Sequence, residues 1–338
     1  MKGKIDVAIY GATGAVGQEL ITSLVARRFP FASLRLYASP ASVGKLVKCG
    51  ESSLRVESSE DSTWGCDLAF MSAGASKSRE FAPKVVGAGG VVIDNSSAFR
   101  MDESVPLVVP EINGNTLSPT NRLVANPNCI AAITMMAVHP LRQLGTISRL
   151  VLSTYQSASG GGAKLMDDLQ EQTRTVLNGG VASSSVAPHP YAFNLFSHNT
   201  PINEHGYNDE EWKVIAESRK ILDMPDLAIG VTCIRVPVLR AHSISLTVEF
   251  EGEVPAEGAV REVLMAAPGV RVVDDRQSNH FPMPSEASGQ GDVLVGRIRR
   301  DLSHRSAINL FVVGDQLLKG AALNAVQIAE LMLARNLI

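Results

Sequence analysis

The sequence predicts an α/β protein of two parts: a doubly wound parallel sheet, then an α+β region built on a mixed sheet. Three observations carry this. Residues 5 to 100 alternate short apolar runs with helix-like stretches. A glycine-rich turn, GATGAVG, joins the first such run to the first helix. Beyond residue 148 the strand-like runs instead arrive in succession, which favours antiparallel or mixed pairing with helices on one face. At 338 residues the chain is long for one core and ample for two.

The runs IDVAIY, LRLYAS, CDLAFMSA and VVIDNSS are nearly continuous in apolar residues, as expected of parallel strands covered on both faces. Between them GQELITSLVARRF and SKSREFAPKVVGAGG have helical spacing. The alternation is that of a Rossmann-like domain. LVANPNCIAAITMMAVHPL then sets a polar turn before an apolar run, which reads as a buried helix with Cys129 in its first turn. Strands follow in SRLVLSTYQSAS, LAIGVTCIRVPVL, AHSISLTVEFEGEV, VLVGRIRRD and SAINLFVVGDQ, with helices AKLMDDLQEQTRTVLNG and NDEEWKVIAESRKILD among them. The last stretch, LLKGAALNAVQIAELMLARNLI, is apolar over a wide helical face and must dock.

With 45% hydrophobic residues, 19% charged residues and a net charge of −3, the composition is that of an ordinary globular protein. Nothing in it favours nucleic acid or an anionic membrane as partner. No apolar stretch reaches the length of a membrane span or signal core, so a cytoplasmic location is expected. The four cysteines, Cys49, Cys66, Cys129 and Cys233, lack metal-ligand spacing. Free thiols and no bound metal are expected.

Gly11, Gly14 and Gly17 stand at the first strand-to-helix turn. Small residues there let a dinucleotide pyrophosphate approach the backbone and the helix N-terminus. Thr13, Ala15 and Val16 share the turn and are read with it as cofactor contacts. A tight turn alone would also explain the glycines, but its setting among alternating strands favours a nucleotide. The second strand ends LRLYASPASVGK, without an acidic residue to grip a ribose 2′-hydroxyl. Ser39, Ser42 and Lys45 would instead meet a 2′-phosphate. NADP is therefore favoured, with NAD as the alternative.

Cys129 poses a choice between packing and chemistry. A thiolate in the first turn of a helix is stabilised by free N–H groups and the macrodipole. A free cysteine is also a small hydrophobe that is commonly just buried.

The segments DNSSAFRMDESVPLVVPEIN, NPNC, STYQSASGGG and RVPVLRAHS occur in this order, and GYNDEEWKVIAESRKIL, VLVGRIRRD and GDQLLKGAALNAVQIAE continue the pattern. Together they resemble the aspartate-β-semialdehyde dehydrogenase family over essentially the whole chain. The resemblance implies NADP-dependent, reversible reduction of aspartyl phosphate to aspartate semialdehyde and phosphate through a cysteine thioester, a step in making the aspartate-family amino acids.

Carried over position by position, the resemblance implies Cys129 as nucleophile, Gln156 as the residue orienting the acyl group and His242 as acid/base. It assigns Arg235 to the substrate α-carboxylate and Glu210 to the ammonium, with Glu211 adjacent as the other register. Lys213, Arg100 and Asn128 are assigned to phosphate. Gln316 would lie near the nicotinamide carboxamide, with Ser159 and Gly160 along the same cofactor. The resemblance further implies a cofactor domain over residues 1–128, completed by the C-terminal helix 317–338, and a catalytic and dimerisation domain over 129–316. A homodimer or dimer of dimers would follow. Ala41 stands where many relatives carry an arginine for the 2′-phosphate.

Arg235 and His242 are seven positions apart. On one unbroken strand that separation would put them on opposite faces, so a bend is expected at Pro237 and the following LRA. Two other readings compete. N-acetylglutamyl-phosphate reductase shares the architecture and thioester chemistry but takes a longer, acylated substrate; paired Glu210 and Arg235 suit a free ammonium and carboxylate better. A catalytically silent nucleotide-binding relative is countered by the presence of Cys129, Gln156, Arg235 and His242 together.

Overall fold

Successive side chains of strand β1 (Ile5–Tyr10) enter two separate cores. Val7 and Ile9 join Leu20, Leu24 and Val326, whereas Ala8 and Tyr10 join Phe81 and Val85. The structure, a computed structural model, describes residues 4–338. The chain divides into two compact units, Met1–Asn128 with Ala321–Ile338, and Cys129–Gly320.

The first unit is built on β1, β2 (Phe31–Ala38), β3 (Leu46–Cys49), β4 (Ser52–Ser58), β5 (Leu68–Met71), β6 (Val91–Asp94) and β7 (Leu123–Ala125). They form one seven-stranded sheet in the order β3-β4-β2-β1-β5-β6-β7. Every neighbouring pair is parallel except the edge hairpin β3–β4. Helix α1 (Ala15–Ala26) and the C-terminal helix Leu323–Ala334 pack into the core on one face, and α2 (Ala75–Gly87) into that on the other. The sheet is therefore doubly wound, as expected. Such sheets bind ligands outside the carboxyl ends of their strands. The hairpin and β7 are additions to the sequence reading. The edge strand β3 is only four residues long, β4 holds just Leu54 and Val56 among serines and charges, and β7 is only three residues long.

The second unit holds β8 (Ile147–Gln156), β9 (Phe196–Ser197), β10 (Ala228–Arg235), β11 (His242–Phe250), β12 (Val270–Val272), β13 (Val293–Arg300) and β14 (Ala307–Gly314). Their order is β12-β13-β14-β11-β8-β10-β9. Pairs β8–β10 and β12–β13 are parallel and the rest antiparallel, so the sheet is mixed. Along β8, Leu150, Leu152, Thr154 and Gln156 are buried, while Arg149, Ser153 and Tyr155 are exposed. One face is thus covered and the other bare.

Helix α3 (Cys129–Val138) packs on β11, β13 and β14. It comes close because position 314 is glycine: a Cβ there would meet Ile133 at 2.9 Å. After α4 (Ala163–Leu177), helix α5 (Asp209–Leu222) packs on β10, and α6 (Glu257–Ala266), not foreseen in the sequence, on β12 and β13. The final apolar stretch does not begin as an α-helix. It opens with a π-helical turn, Leu318–Ala322, and the second unit runs on through it to Gly320, past residue 316. Among the described residues no helix is long and apolar enough to cross a membrane.

Candidate active site

Cys129 is the first residue of α3 and half-buried, and every residue from Ile130 to Val138 is buried. The apolar run fixes the helix and leaves the thiol at its start. Gly320 backs onto it: a Cβ there would stand 2.7 Å from the Cys129 Cβ and 3.3 Å from that of Gln316. Any larger residue would press on the thiol's own backbone. No motif singled out Gly320, because its partner lies far away along the chain.

Arg235, Gln156 and His242 meet at one end of the second sheet. Arg235 pairs with Gln156 across β10 and β8, and Ser243 pairs with Tyr155 across β11 and β8, so His242 begins β11 level with Gln156. Between β10 and β11 the chain breaks over residues 236–241, with Ala241 in the left-handed region at φ 71°. This is the expected bend. It turns one apparent strand into two, on either side of β8, and removes the parity conflict between Arg235 and His242.

His242 is fully buried, and its Nδ1 accepts the Ser157 N–H at 3.0 Å, with Ser157 Oγ also 3.0 Å away. A backbone N–H can only donate, so the neutral ring carries its proton on Nε2. That nitrogen has no protein partner. Burial, followed by the charges of Arg235 and His198, holds the ring's pKa well below the usual histidine range. Arg235 donates through Nη1 to Ser157 O at 3.0 Å. Gly160 closes this corner, since a Cβ there would lie 2.8 Å from Arg235 Nη1 and 3.1 Å from His242 Nε2. Gln316 donates to Ser159 and accepts the Ala241 N–H at 3.0 Å. Ser159, Gly160 and Gln316 therefore stand with the substrate candidates in the second unit.

Gln156 donates to Glu210 Oε1 at 2.9 Å, which turns its own Oε1 to a buried position without a partner. Glu210 and Lys213 are one turn apart on α5. Glu211 is committed elsewhere. It forms a capping box with Asn208, and its other oxygen accepts the Cys233 N–H at 3.0 Å. Of the two adjacent carboxylates, Glu210 is the one that reaches Gln156, while Glu211 is taken up by helix capping.

His198, which no motif singled out, lies within electrostatic reach of Arg235, Glu210 and Lys213. Burial, then the Arg235 charge, pushes its pKa down to about 4. Its Nε2 is also buried without a partner. Buried polar atoms are seldom left unpaired. Here Gln156 Oε1, His198 Nε2 and His242 Nε2 are all unpaired in one neighbourhood, which marks it as a seat for a polar ligand.

In the first unit, Gly11, Thr13, Gly14, Ala15 and Val16 make the turn from β1 into α1. Gly11 has φ +90°, and a Cβ there would be 2.4 Å from Ser72 O; at Gly17 it would be 2.3 Å from Gly11 O. The turn is drawn as tight as glycine allows. Thr13 Oγ1 and Lys45 Nζ each donate to Ser42 Oγ at 3.4 Å. Ser39 is exposed just before them, as is Ala41. Arg55 brings its guanidinium beside Gly44. Arg100 is buried and donates to the carbonyls of Asn126 and Asn95, each at 2.9 Å. Asn128 is buried as well.

Two family models match the chain, the semialdehyde dehydrogenase NAD-binding domain over residues 6–119 and the semialdehyde dehydrogenase dimerisation domain over 138–319. An aspartate-semialdehyde dehydrogenase of Synechocystis sp. is 50% identical over 337 residues, 99% of either chain. The crystal structure of aspartate semialdehyde dehydrogenase II complexed with ASA from Vibrio cholerae matches with a TM-score of 0.95 at 38% identity, covering 98% of this chain and 99% of that one. The Candida albicans enzyme with NADP matches with a TM-score of 0.78 at 22% identity over 99% of this chain and all of that one, a likeness of fold.

Proposed function

The chain belongs to the aspartate-semialdehyde dehydrogenase family, and on that premise we propose that it reduces aspartyl phosphate reversibly to aspartate semialdehyde and phosphate. The observation that carries this most directly is the meeting of Gln156, Arg235 and His242 at one end of β8, with buried polar atoms left open. Residues 1–128 with the C-terminal helix act as the cofactor domain, and 129–316 as the catalytic and dimerisation domain.

The Cys129 thiolate attacks the acyl carbon, and the C–O bond to phosphate breaks to leave a thioester. NADPH, when bound, supplies the hydride that reduces it. Collapse of the resulting tetrahedral oxyanion breaks the C–S bond, releasing the aldehyde and returning the Cys129 thiolate. Gln156, held by Glu210, orients the acyl group. His242, in the acid/base position, donates its Nε2–H as a hydrogen bond to the oxygen on which charge develops, while its Nδ1 accepts the Ser157 N–H. Arg235 takes the α-carboxylate with paired donors, and Glu210 the α-ammonium. Lys213, Arg100 and Asn128 are assigned to phosphate.

The glycine turn with Thr13, Ala15 and Val16 takes the pyrophosphate. Ser39, Ser42 and Lys45 take the 2′-phosphate, which favours NADP despite Ala41, since β2 ends without a carboxylate. Ser159, Gly160 and Gln316 line the nicotinamide. The bare face of the second sheet, with Ser153, Tyr155, Thr232 and Phe311, pairs with a second copy to give a homodimer. The four free thiols suit a reducing compartment, the cytoplasm.

The test is reduction of NADP⁺, with NAD⁺ in parallel, by purified protein given aspartate semialdehyde with and without phosphate. Phosphate-dependent NADPH formation is expected, faster than with NAD⁺. Turnover of the N-acetylated glutamate semialdehyde alone would replace aspartate with the longer substrate. No turnover of either, from protein that binds nucleotide, would identify a silent relative.

A further inference from the structure

We propose that His198 is a substrate-binding residue, its Nε2–H donating to the substrate α-carboxylate beside Arg235. The inference rests on the reading above and adds a residue to it. Three observations converge on this side chain. Its Nε2 is buried and unpartnered, like the open atoms of Gln156 and His242. Its charged neighbours are Arg235, Glu210 and Lys213, and it in turn acts on His242. It also follows directly on β9, whose Phe196 and Ser197 pair with Arg235 and Ile234.

The segment leading to His198 is anchored. Gln172 Oε1 accepts the backbone N–H groups of Tyr191 and Ala192 at 2.6 and 3.2 Å, and Tyr191 OH donates to Gln156 O at 3.3 Å. Phe196 packs edge-on against Tyr191, with ring centroids 5.2 Å apart. A ligand-binding group gains from such support, because little ordering remains to be done on binding.

Chemistry selects the donor role. A carboxylate has about four acceptor positions, of which one guanidinium fork fills two. Arg235 has one N–H committed to Ser157 O; its remaining fork fills two of the carboxylate's positions and leaves others open to a second donor. Beside a guanidinium that donor is best uncharged. Burial and Arg235 keep the imidazole neutral at physiological pH, so it adds a hydrogen bond without a repelling charge.

The experiment is steady-state kinetics of the full-length enzyme and of His198→Leu, His198→Asn and His198→Gln, varying aspartate semialdehyde, phosphate and NADP⁺ separately. For His198→Leu and His198→Asn, KM for the semialdehyde should rise about tenfold, the scale of one hydrogen bond to a charged group, with kcat and the other two KM values nearly unchanged. His198→Gln, whose longer amide can still donate, should recover most of the loss. Wild-type protein without phosphate-dependent turnover would sink the functional reading itself. With an active wild type, an unchanged semialdehyde KM in the Leu and Asn variants would overturn the role of His198. So would equal loss in every parameter with a lowered Tm and no rescue by Gln, the pattern of a merely structural residue.

Discussion

Gln156 and Tyr155 are neighbours in sequence and opposites in surroundings: Gln156 is 1% exposed and Tyr155 41%. Gln156, with Arg235 and His242 at the same end, belongs to the face of the second sheet that the helices cover. Tyr155 belongs to the bare face, beside Ile234 and Ser243 in register. In β1 of the first unit the same alternation leads into two cores, and neither face is open. The period of two along β8 thus separates a covered side, proposed above for chemistry, from an open side, proposed for association. A slip of one residue would exchange the two roles.

The largest expected effect falls on the covered side. Cys129→Ala should lower turnover by roughly a thousandfold or more, as removal of a covalent nucleophile does. Nucleotide affinity and molecular mass in solution should stay as in the wild type. Kinetics, a nucleotide titration and light scattering on one preparation test this together. Retained turnover would remove Cys129 from its role, and a changed mass would mean that the two faces are not independent.

The bare face is broken by Ser153→Arg. Ser153 lies in the middle of that face, opposite Thr232 and Ser245. In a twofold pairing, each copy would bury an unpaired charge, a cost of about 3 kcal/mol or roughly a hundredfold in dissociation constant. Light scattering should show monomer where the wild type is dimeric, with unchanged far-UV circular dichroism. A variant that stays dimeric at micromolar concentration would exclude this face as the interface.

What was legible in the sequence follows the same division. Strands buried on both faces and the long helices announce themselves by local periodicity, and the break near Pro237 could be read from the parity of Arg235 and His242. The hairpin β3–β4 was not legible, because β3 is only four residues long and β4 holds only Leu54 and Val56 among serines and charges, which reads as loop. Glu211 could be separated from Glu210 only by the capping box, which needs Asn208 in its native backbone conformation. Ser157, Gly320 and His198 owe their importance to distant partners: His242, Cys129 and Arg235. No local pattern encodes such meetings, and β9, only two residues long, carries His198 to its position without a strand signature.

The smallest expected effect is thermodynamic and again concerns the covered side. His139, His198 and His242 have depressed pKa values in the folded protein, with burial the first cause in each. Unfolding returns them to about 6.5. Below that pH the unfolded chain therefore binds more protons than the folded one, and stability falls with falling pH. For His198 the window runs from about 6.5 down to about 4, its folded value; above it this contribution is fully present. Tm should accordingly decline on acidification through this range, and His198→Gln should flatten the decline, because an amide takes up no proton in either state. A variant that loses stability with pH as steeply as the wild type would mean that His198 is hydrated and ordinary in the folded protein. Its Nε2 would then not be waiting for a substrate.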